Sequence, residues 1–496
     1  MNSGPFSIAI IGAGFSGALL AVQLLRRCRE DDRVYLIEKR AGFGRGLAYS
    51  TSNVNHLLNV RAGNMSAFPD QPDHFVEWLR RRAVEAETSD AMPDAGSFVS
   101  RRLYGTYVRS LLCDELWQGG KGRNLFLVPD QAVALNAEPG GVFLTVAGGR
   151  CYRVDMVVLA AGNLPPDESR GAYFGDPWHP DATAGIGRDD KVLLIGSGLT
   201  MVDTVQTLLE AGHRGSIRAL SRRGLVPHVH VPTNPLAIST FDLPRTTSVA
   251  RLARWLRARV AAAEAEGRTW RDVIDGLRPH LQDLWRRLSV EERRRFLRHL
   301  RPWWDIHRHR MAPSVAAMLN AAIDRGQLVI ERGRVVEIAP EEAAVTVRWR
   351  RRGASDVETM QVARAINCAG PETNYAACND PLIRDLLARR FARPDPLGLG
   401  LEVNEQGALL NQEGVPSRRL FALGPVTRGS FWEIVAVPDI RQQCARLANH
   451  LVTQYRVGVE ASEPRPVRRP DAVPATPPPR PISPQPIVLR PRTSKA

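Results

Sequence analysis

Residues 8–17 read Ile8-Ala9-Ile10-Ile11-Gly12-Ala13-Gly14-Phe15-Ser16-Gly17 and lead directly into an apolar segment, 18–25. An apolar run, a glycine-rich turn and an apolar helix, in this order, are typical of the first β-α unit of a dinucleotide-binding fold. Gly12 permits the sharp turn, Gly14 allows a pyrophosphate to approach the backbone, and Gly17 lets the helix pack closely on the strand. Free N–H groups and the positive end of the helix dipole favour a bound phosphate. This turn therefore predicts one dinucleotide.

The strand after this unit ends in an acidic residue. Residues 34–37 are an apolar run, and Glu38 and Lys39 follow it. A carboxylate at this strand end accepts hydrogen bonds from ribose hydroxyl groups. A membrane or signal segment over 8–25 is the alternative, but no basic region precedes it and Glu38 would have no role. The predicted residues of this first nucleotide site are Gly12, Gly14, Phe15, Ser16, Gly17, Glu38 and Lys39.

A second turn of the same kind follows later in the chain. Residues 192–201 read Val192-Leu193-Leu194-Ile195-Gly196-Ser197-Gly198-Leu199-Thr200-Met201 and lead into the apolar helix 202–209. Met201 stands where a third glycine is expected, so the match is looser than the first. The next strand, 216–220, ends in Ser221-Arg222-Arg223 rather than in an acid. Cationic side chains there suit a 2′-phosphate and favour NADPH over NADH, with a solvated basic loop as the alternative.

Two such turns predict two dinucleotides, and a protein that holds two redox dinucleotides is expected to pass electrons between them. For the second dinucleotide the predicted residues are Gly196, Ser197, Gly198, Leu199, Thr200, Arg222 and Arg223. NADPH is the expected nucleotide here, and NADH is the alternative.

Composition limits the class of protein. The 496 residues can bury two or three cores, and the sequence has no run of 18 or more apolar residues, which argues against a membrane span. The six cysteines are scattered without a C-x-x-C pair or a zinc spacing, so no metal site is predicted. This pattern favours a reducing, cytoplasmic location and argues against a redox-active disulfide or an iron–sulfur centre.

The net charge of +15 raises the question of nucleic-acid binding. The excess is mostly arginine in 250–310 and in the C-terminal tail, and no basic-plus-aromatic recognition motif accompanies it. We therefore expect a small-molecule substrate and no nucleic-acid partner, because a positive field also attracts anionic cofactors and substrates.

Two further patterns carry functional expectations. A glycine- and asparagine-rich segment, 41–75, is long for a loop inside a compact domain, and such loops are usually functional. Apolar strands closing on small residues and a glycine occur at 157–163 and again at 365–371, and Gly162 and Gly370 would bring backbone close to a dinucleotide.

Residues 246–325 are predicted to be helical, with five tryptophans spread through charged sequence. Within them lies the cluster Arg301-Pro302-Trp303-Trp304-Asp305-Ile306-His307-Arg308-His309-Arg310. Metal binding by His307 and His309 is not favoured, because helix positions i and i+2 point to different faces. A helix that packs tryptophans and presents arginines is one interpretation, and a substrate pocket for an acidic group is the other.

The predicted fold class is α/β, with two Rossmann-like dinucleotide-binding domains. We expect one dinucleotide-binding domain to begin over 1–170 and the second, which includes the helical segment 246–325, to span 171–370. Residues 371–458 follow, and 459–496 is a Pro/Arg-rich disordered tail.

With these motifs in order, the chain resembles the flavoproteins that bind two dinucleotides. It is similar in particular to bacterial FAD/NAD(P)-binding proteins related to flavin-containing and N-hydroxylating monooxygenases, over roughly residues 5–455. The resemblance implies FAD at the first turn and NADPH at the second. It also implies that 1–170 and 371–458 form the first and second parts of an FAD domain, into which the NAD(P) domain, 171–370, is inserted. It also implies that the flavin ring lies near 58–66, where Asn59, Arg61 and Asn64 are the candidate catalytic donors. Further FAD contacts implied by it are Gly44, Arg45, Gly46 and Gly424. Gly162, Gly370 and Val133 complete the predicted cofactor-binding residues.

Departures from that family leave three functions open. The segment Phe174-Gly175-Asp176-Pro177-Trp178-His179 is only a partial match to the signature of flavin-containing and Baeyer–Villiger monooxygenases. The first expectation is an NADPH-dependent flavin monooxygenase acting on a small molecule. The alternatives are an NAD(P)H-flavin reductase without oxygen insertion and a non-catalytic FAD/NADP-binding module.

Overall fold

The structure is a computed structural model that describes residues 5–40, 42–85, 92–117, 124–164, 169–371 and 373–460. Of the predicted tail, 459–496, residues 459 and 460 belong to the last helix, and the rest lies outside the described residues. Sixteen strands are present in the described residues: β1 Ser7–Ile11, β2 Arg33–Ile37, β3 Leu125–Val128, β4 Ala132–Glu138, β5 Gly141–Val146, β6 Cys151–Val154, β7 Met156–Leu159, β8 Tyr173–Phe174, β9 Val192–Ile195, β10 Ile217–Ser221, β11 Leu328–Pro340, β12 Val345–Arg351, β13 Glu358–Val362, β14 Arg364–Asn367, β15 Ala408–Leu410 and β16 Pro416–Ala422.

The same described residues form twelve α-helices: α1 Phe15–Leu25, α2 His74–Glu85, α3 Arg101–Trp117, α4 Leu199–Glu210, α5 Val249–Ala265, α6 Trp270–Leu277, α7 Leu281–Arg287, α8 Val290–His299, α9 Arg301–Arg308, α10 Pro313–Asp324, α11 Pro381–Ala388 and α12 Val437–Glu460. None of the helices in the described part of the chain is long and apolar enough to cross a membrane.

The first unit is built on a six-stranded sheet in the order β15-β16-β7-β1-β2-β3. Its central strands are parallel, and β15 is an antiparallel edge strand. Parallel strands with helices on both faces are apolar along their whole length, which explains the unbroken run at Ile8–Ile11. Helix α1 is buried over all eleven of its residues, because it packs between this sheet, α3 and α12. An antiparallel meander, β4-β5-β6, connects β3 to β7.

The second unit has a seven-stranded sheet in the order β13-β12-β11-β10-β9-β14-β8. Strands β8 to β11 and β14 are parallel, whereas β12 and β13 extend the sheet as antiparallel strands. Helix α10 connects into β11 and packs on α4, so it belongs to this sheet although it lies within the predicted helical segment. The remaining helices of that segment, α5–α9, form a separate layer. The predicted α/β class with two Rossmann-like sheets is confirmed.

The second unit is inserted into the first. The chain leaves the first sheet after β7 and returns to it for β15 and β16, and the core of the first unit contains residues from 6–164 and 375–452 only. The points at which the chain leaves and re-enters the first unit are adjacent, since the Tyr375 hydroxyl donates to the Gly162 carbonyl oxygen at 2.9 Å.

Candidate dinucleotide and redox site

The first glycine turn has the geometry that a bound pyrophosphate requires. Gly12 has a φ of +101°, and a Cβ there would lie 2.4 Å from the carbonyl oxygen of Ala160. A Cβ at Gly17 would lie 1.8 Å from the Gly12 oxygen, so only glycine allows α1 to approach the turn. Gly14 caps α1 with no side-chain hydrogen bond, and the first turn of α1 has no acidic residue. The N–H groups at the start of α1 are therefore available to a phosphate.

The loop after β2 closes over this turn. A Cβ at Gly46 would lie 2.8 Å from the Gly14 Cα, and the Gly44 N–H donates to the Ala13 carbonyl at 2.8 Å. Glu38 lies beside the turn, where one carboxylate oxygen accepts from the Ala13 N–H at 2.9 Å. The backbone of two loops and a carboxylate thus converge on one place, as a nucleotide with its ribose requires.

A cavity of about 500 Å³ opens at this convergence. Predicted residues that line it are Gly12, Gly14, Glu38, Lys39, Arg45, Gly46 and Gly162. Val133 is one residue beyond the lining residue Ala132, and Phe15 and Ser16 are buried in α1 below the turn. Gly424 packs on Ser16, because a Cβ at Gly424 would lie 2.6 Å from the Ser16 hydroxyl oxygen. The free helix N-terminus, the glycine cradle and the acid fit the ADP part of FAD.

The second turn repeats the geometry of the first. Gly196 has a φ of +117°, and a Cβ there would lie 2.5 Å from the Cys368 carbonyl oxygen, as Gly12 lies against Ala160. Gly198 caps α4 without a side-chain hydrogen bond, and no atom lies within 4 Å of its ideal Cβ position. Met201, at the third position of the fingerprint, is fully buried in the core of the second unit.

The other residues predicted for the second nucleotide take different positions around this turn. The Ser197 hydroxyl donates to the Leu225 carbonyl at 2.6 Å and lies 2.8 Å from the Ser221 hydroxyl, so it fastens the turn to the end of β10. Arg222 is exposed and Arg223 half-buried just after β10, while Leu199 and Thr200 begin α4. The two arginines lie at the strand end where the sequence predicts a 2′-phosphate.

A second cavity, of about 340 Å³, lies where the two units meet. Leu47, Asn163 and Leu164 line both cavities, so the nucleotide cavity continues into this one. Thr200 and Gly370 reach it from the second unit. The two dinucleotide sites therefore lead to one common space.

Of the three predicted catalytic residues, only Asn59 lines this common cavity. Its backbone oxygen is held by His230 Nε2 at 3.0 Å. Arg61 instead donates from its guanidinium to the Val231 carbonyl at 2.6 Å, which joins the first unit to the second. Asn64 is exposed in the short 3-10 turn Ala62–Asn64 and is not a lining residue.

Polar contacts fix the two units around the cavity. Arg101 of α3 and Asp203 of α4 form an ion pair at 2.7 Å, with only 16% and 8% of their side chains exposed. His56 Nε2 lies 2.9 Å from the Thr207 hydroxyl and its Nδ1 lies 2.9 Å from that of Thr51. Burial lowers the pKa of His56, so the ring is neutral in these hydrogen bonds. This set of contacts is called the α3–α4 clamp below.

Sequence reasoning did not assign several residues that line the cavity. Arg101, Trp178, Arg308 and His309 all do so. Arg308 and His309 belong to the cluster 301–310, for which the sequence allows either a packing role or a pocket for an acidic group. No sequence pattern marks Arg101 as a site residue, because its position at the cavity depends on how α3 packs against α4. Among the described residues no group of three or more His, Cys, Asp or Glu side chains could hold a metal ion.

Glu433 lies buried behind Arg308 and His309. Its φ of +67° is unusual for a residue other than glycine, and it accepts a hydrogen bond from Trp304 Nε1 at 2.8 Å. Its other carboxylate oxygen lies 3.6 Å from His309 Nε2 and 3.7 Å from Arg308 Nε. Burial acts to raise the pKa of Glu433, but the neighbouring His309, Arg308 and Trp304 outweigh it and the pKa is lowered. Glu433 is therefore ionised.

Comparisons with known proteins agree with this geometry. A family model described as FAD-NAD(P)-binding matches residues 9–164, which confirms an FAD/NAD(P)-binding domain in the first unit. No curated protein sequence matches the chain.

Solved structures share the whole fold at low identity. The Kutzneria sp. 744 ornithine N-hydroxylase, in complex with reduced FAD, NADP+ and L-ornithine, has a TM-score of 0.62 at 13% identity and covers 91% of this chain and 100% of its own. L-lysine 6-monooxygenase from Pseudomonas syringae has a TM-score of 0.59 at 14% identity, with the same coverage. Bacillithiol disulfide reductase from Staphylococcus aureus has a TM-score of 0.52 at 12% identity and covers 91% and 98%. The chain has the fold of the flavoproteins with two dinucleotide-binding domains.

Proposed function

We propose that this protein is an NADPH-dependent FAD oxidoreductase of the monooxygenase type, acting on a small molecule. One observation carries the proposal: the cavity at the first glycine turn continues into a space that the second turn also reaches, through Leu47, Asn163 and Leu164 on one side and Thr200 and Gly370 on the other. NADPH, when bound, would supply a hydride, and FAD would relay the electrons to the substrate or to oxygen.

The chain's own residues bind and orient these groups. Gly12, Gly14 and Glu38 hold the ADP part of FAD, and Gly196 and Gly198 hold the pyrophosphate of NADPH. Arg222 and Arg223 select the 2′-phosphate. Asn59 is the candidate donor to the flavin ring, because it is the member of the predicted set that lines the cavity.

Exclusion of water is the second contribution of the chain. Trp178, Leu58, Val60 and Val437 line the common cavity with apolar surface. The α3–α4 clamp holds this wall closed, since Arg101 both lines the cavity and pairs with Asp203. A dry, shaped site strengthens every polar contact made inside it and suppresses side reactions with water.

The fold is shared with a disulfide reductase, so a reductase without oxygen insertion is the second candidate. None of the six cysteines, all of which the structure describes, forms a disulfide, and burial raises the pKa of the Cys368 and Cys444 thiols. These thiols are unsuited to disulfide exchange, which requires a thiolate. A reductase of this kind would therefore pass its electrons directly from the flavin.

The test is reduction of the FAD-loaded protein under anaerobic conditions. We expect NADPH to bleach the flavin absorbance, faster than NADH does, and a chain that takes up FAD but is not reduced by NADPH contradicts the proposed enzyme. Aerobic turnover with isotopic oxygen then separates the two candidates. Incorporation of one oxygen atom into a small-molecule substrate per NADPH supports the monooxygenase. Recovery of all the electrons in hydrogen peroxide, or in ferrocyanide when ferricyanide is added, supports the reductase.

A further inference from the structure

We propose that Arg308 is the binding group for the carboxylate of a small organic acid in the common cavity. This inference rests on the proposed function, because it assigns a substrate class to the same site. Arg308 is the last residue of α9, and both it and His309 line the cavity, together with Asn59 and Thr200. Arg308 thus lies at the space where the two dinucleotide sites meet.

Arg308 is buried and incompletely paired. Only 11% of its side chain is exposed, and its Nε has no hydrogen-bond acceptor. The nearest carboxylate oxygen, on Glu433, lies 3.7 Å away. A charge-assisted hydrogen bond between these groups would measure about 2.7–2.9 Å. In the described residues the terminal nitrogens of Arg308 make no hydrogen bond, so these donors remain for another anion.

The charges around Arg308 do not balance. Three neighbouring ion pairs are complete: Arg301 with Asp305 at 3.3 Å, Arg278 with Asp439 at 2.9 Å and Arg310 with Asp275 at 2.7 Å. Glu433 is left to two buried cations, Arg308 and Arg428, and the Nε of Arg428 also has no hydrogen-bond acceptor. His309 also lies beside Glu433, and burial lowers the pKa of its ring. Arg308 and Arg428 thus share one carboxylate, and Arg308 is the one of the two that lines the cavity.

An unbalanced buried cation is costly, and an anionic ligand removes that cost. Guanidinium matches a carboxylate best, because its planar fork gives two parallel hydrogen bonds. Much of the rest of the cavity is apolar, through Leu58, Trp178 and Val437. A small organic acid with an apolar body satisfies both parts of this surface.

The test measures binding to the FAD-loaded protein without turnover, with benzoate and its neutral analogue benzamide as probes. Flavin absorbance and tryptophan fluorescence are both followed, since Trp304 lies one helical turn before Arg308. We expect saturable binding of benzoate and at least about tenfold weaker binding of benzamide, as the loss of a charged hydrogen bond predicts.

Variants on the same helix separate contact from general electrostatics. Arg308→Gln is expected to lower the affinity for benzoate by at least about tenfold and to leave the affinity for benzamide unchanged. Arg308→Lys keeps the charge but loses the planar guanidinium, so its affinity for benzoate should lie between those of the parent chain and Arg308→Gln. Arg301→Gln is the matched control, because it removes one positive charge from the same cluster at a residue that does not line the cavity. The control should bind benzoate within about threefold of the parent chain.

Three results overturn the proposal. They are equal binding of benzoate and benzamide by the parent chain, an equal loss in Arg301→Gln and Arg308→Gln, and a loss of NADPH binding in Arg308→Gln with benzoate unaffected. If Arg308→Gln does not fold, the two probes on the parent chain and on Arg308→Lys decide. Anaerobic bleaching by NADPH without benzoate tests the proposed function separately, so the two failures are distinguishable.

Discussion

At the scale of single residues, Gly12 and Gly198 differ in what a methyl group would meet. A Cβ at Gly12 would lie 2.4 Å from a carbonyl oxygen, and the φ of +101° is one that other residues rarely adopt. A Cβ at Gly198 meets nothing within 4 Å, and its φ of −86° is ordinary. The fold therefore requires glycine at position 12, whereas the space beside Gly198 is open to a ligand.

Gly198→Ala should lower the affinity for NADPH without lowering the stability of the fold. The added methyl group projects into open space where the pyrophosphate approaches the backbone, so we expect about a tenfold higher Kd for NADPH. The thermal unfolding midpoint and the FAD content should stay within error of the parent chain. Gly12→Ala is the contrasting variant, for which we expect a lower midpoint and lost FAD. An unchanged NADPH affinity in Gly198→Ala would place the nucleotide elsewhere.

Arg222→Ala should change the choice of nucleotide. Arg222 is exposed at the carboxyl end of β10, so its removal costs little stability. If it pairs with the 2′-phosphate, the kcat/KM for NADPH falls by about tenfold or more and that for NADH is unchanged. Stopped-flow reduction of the flavin with each nucleotide measures this ratio. Equal losses for both nucleotides would contradict the assignment.

His230 predicts a pH dependence of stability. Burial, opposed by the hydrogen bond to Asn59 and assisted by Arg310, lowers the pKa of His230 to about 4. In the unfolded chain the pKa is about 6.5, so between these values the unfolded state binds more protons. The contribution is fully present above about pH 6.5 and is lost as the pH falls towards 4, by on the order of 3 kcal/mol.

His230→Gln keeps an N–H donor for the Asn59 oxygen but cannot titrate. We expect its unfolding midpoint to fall less than that of the parent chain between pH 7 and pH 4.5. Thermal unfolding at several pH values measures this difference. His299, which is exposed on α8, provides the control substitution His299→Gln, and its pH profile should follow that of the parent chain.

At the scale of elements, the α3–α4 clamp joins two helices from different units. Removing one partner of a buried ion pair leaves the other charge uncompensated and costs about 3–5 kcal/mol. Arg101 also donates to the Leu57 carbonyl at 3.1 Å, so its loss releases the loop before the cavity as well. The clamp is therefore expected to govern both stability and the shape of the common cavity.

Arg101→Met should lower the unfolding midpoint and increase proteolysis between the two units. Arg102 is the next residue on α3 and is exposed, so Arg102→Met is the matched control and should have little effect. Differential scanning calorimetry and limited proteolysis measure the two responses. Equal behaviour of the two variants would show that the ion pair contributes no net stability.

Elements with strong local patterns were predictable, and those fixed by distant partners were not. The two β-α-β units follow from apolar runs and glycine turns that lie within a few dozen residues. The sequence places residues 313–324 in one helical segment with α5–α9, but in the structure they form α10 and pack on α4. Nothing in their own sequence distinguishes these two partners. Strands β12 and β13 join the second sheet only through pairing with β11.

The site was predictable to a similar extent. The glycines and Glu38 act through local geometry, which sequence displays directly. Arg308, Asn59 and Val437 line one cavity from three distant parts of the chain, and their meeting depends on the packing of whole units. Arg61 and Asn64 show the converse, since their proximity to Asn59 in sequence does not bring them to the cavity.

At the scale of the whole molecule, the first unit has a core of its own. That core contains residues from 6–164 and 375–452, and none from the inserted unit. Leu399 and Trp432 belong to the first unit but lie outside this core, because they pack on the helical layer of α5–α9. The inserted unit therefore contributes little to the interior on which the FAD cavity is built.

Replacement of residues 165–372 by a short Gly/Ser linker should leave a folded, FAD-binding protein that NADPH does not reduce. The ends to be joined are close, because Tyr375 donates to Gly162 at 2.9 Å. We expect a lower unfolding midpoint, since the α3–α4 clamp is lost and Leu399 and Trp432 are uncovered. Flavin absorbance after gel filtration measures retained FAD. A shortened chain that folds but takes up no FAD would show that the first unit does not bind the cofactor alone.

The hydrogen bond between Tyr375 and Gly162 has a mechanical meaning as well. Because the chain enters and leaves the second unit at one place, the two connections form a single hinge. A rotation about this place would change the angle between the units without separating the connected ends. Contacts away from the hinge oppose such a rotation, among them the ion pair of Arg101 with Asp203 and the hydrogen bond from Arg61 to the Val231 carbonyl.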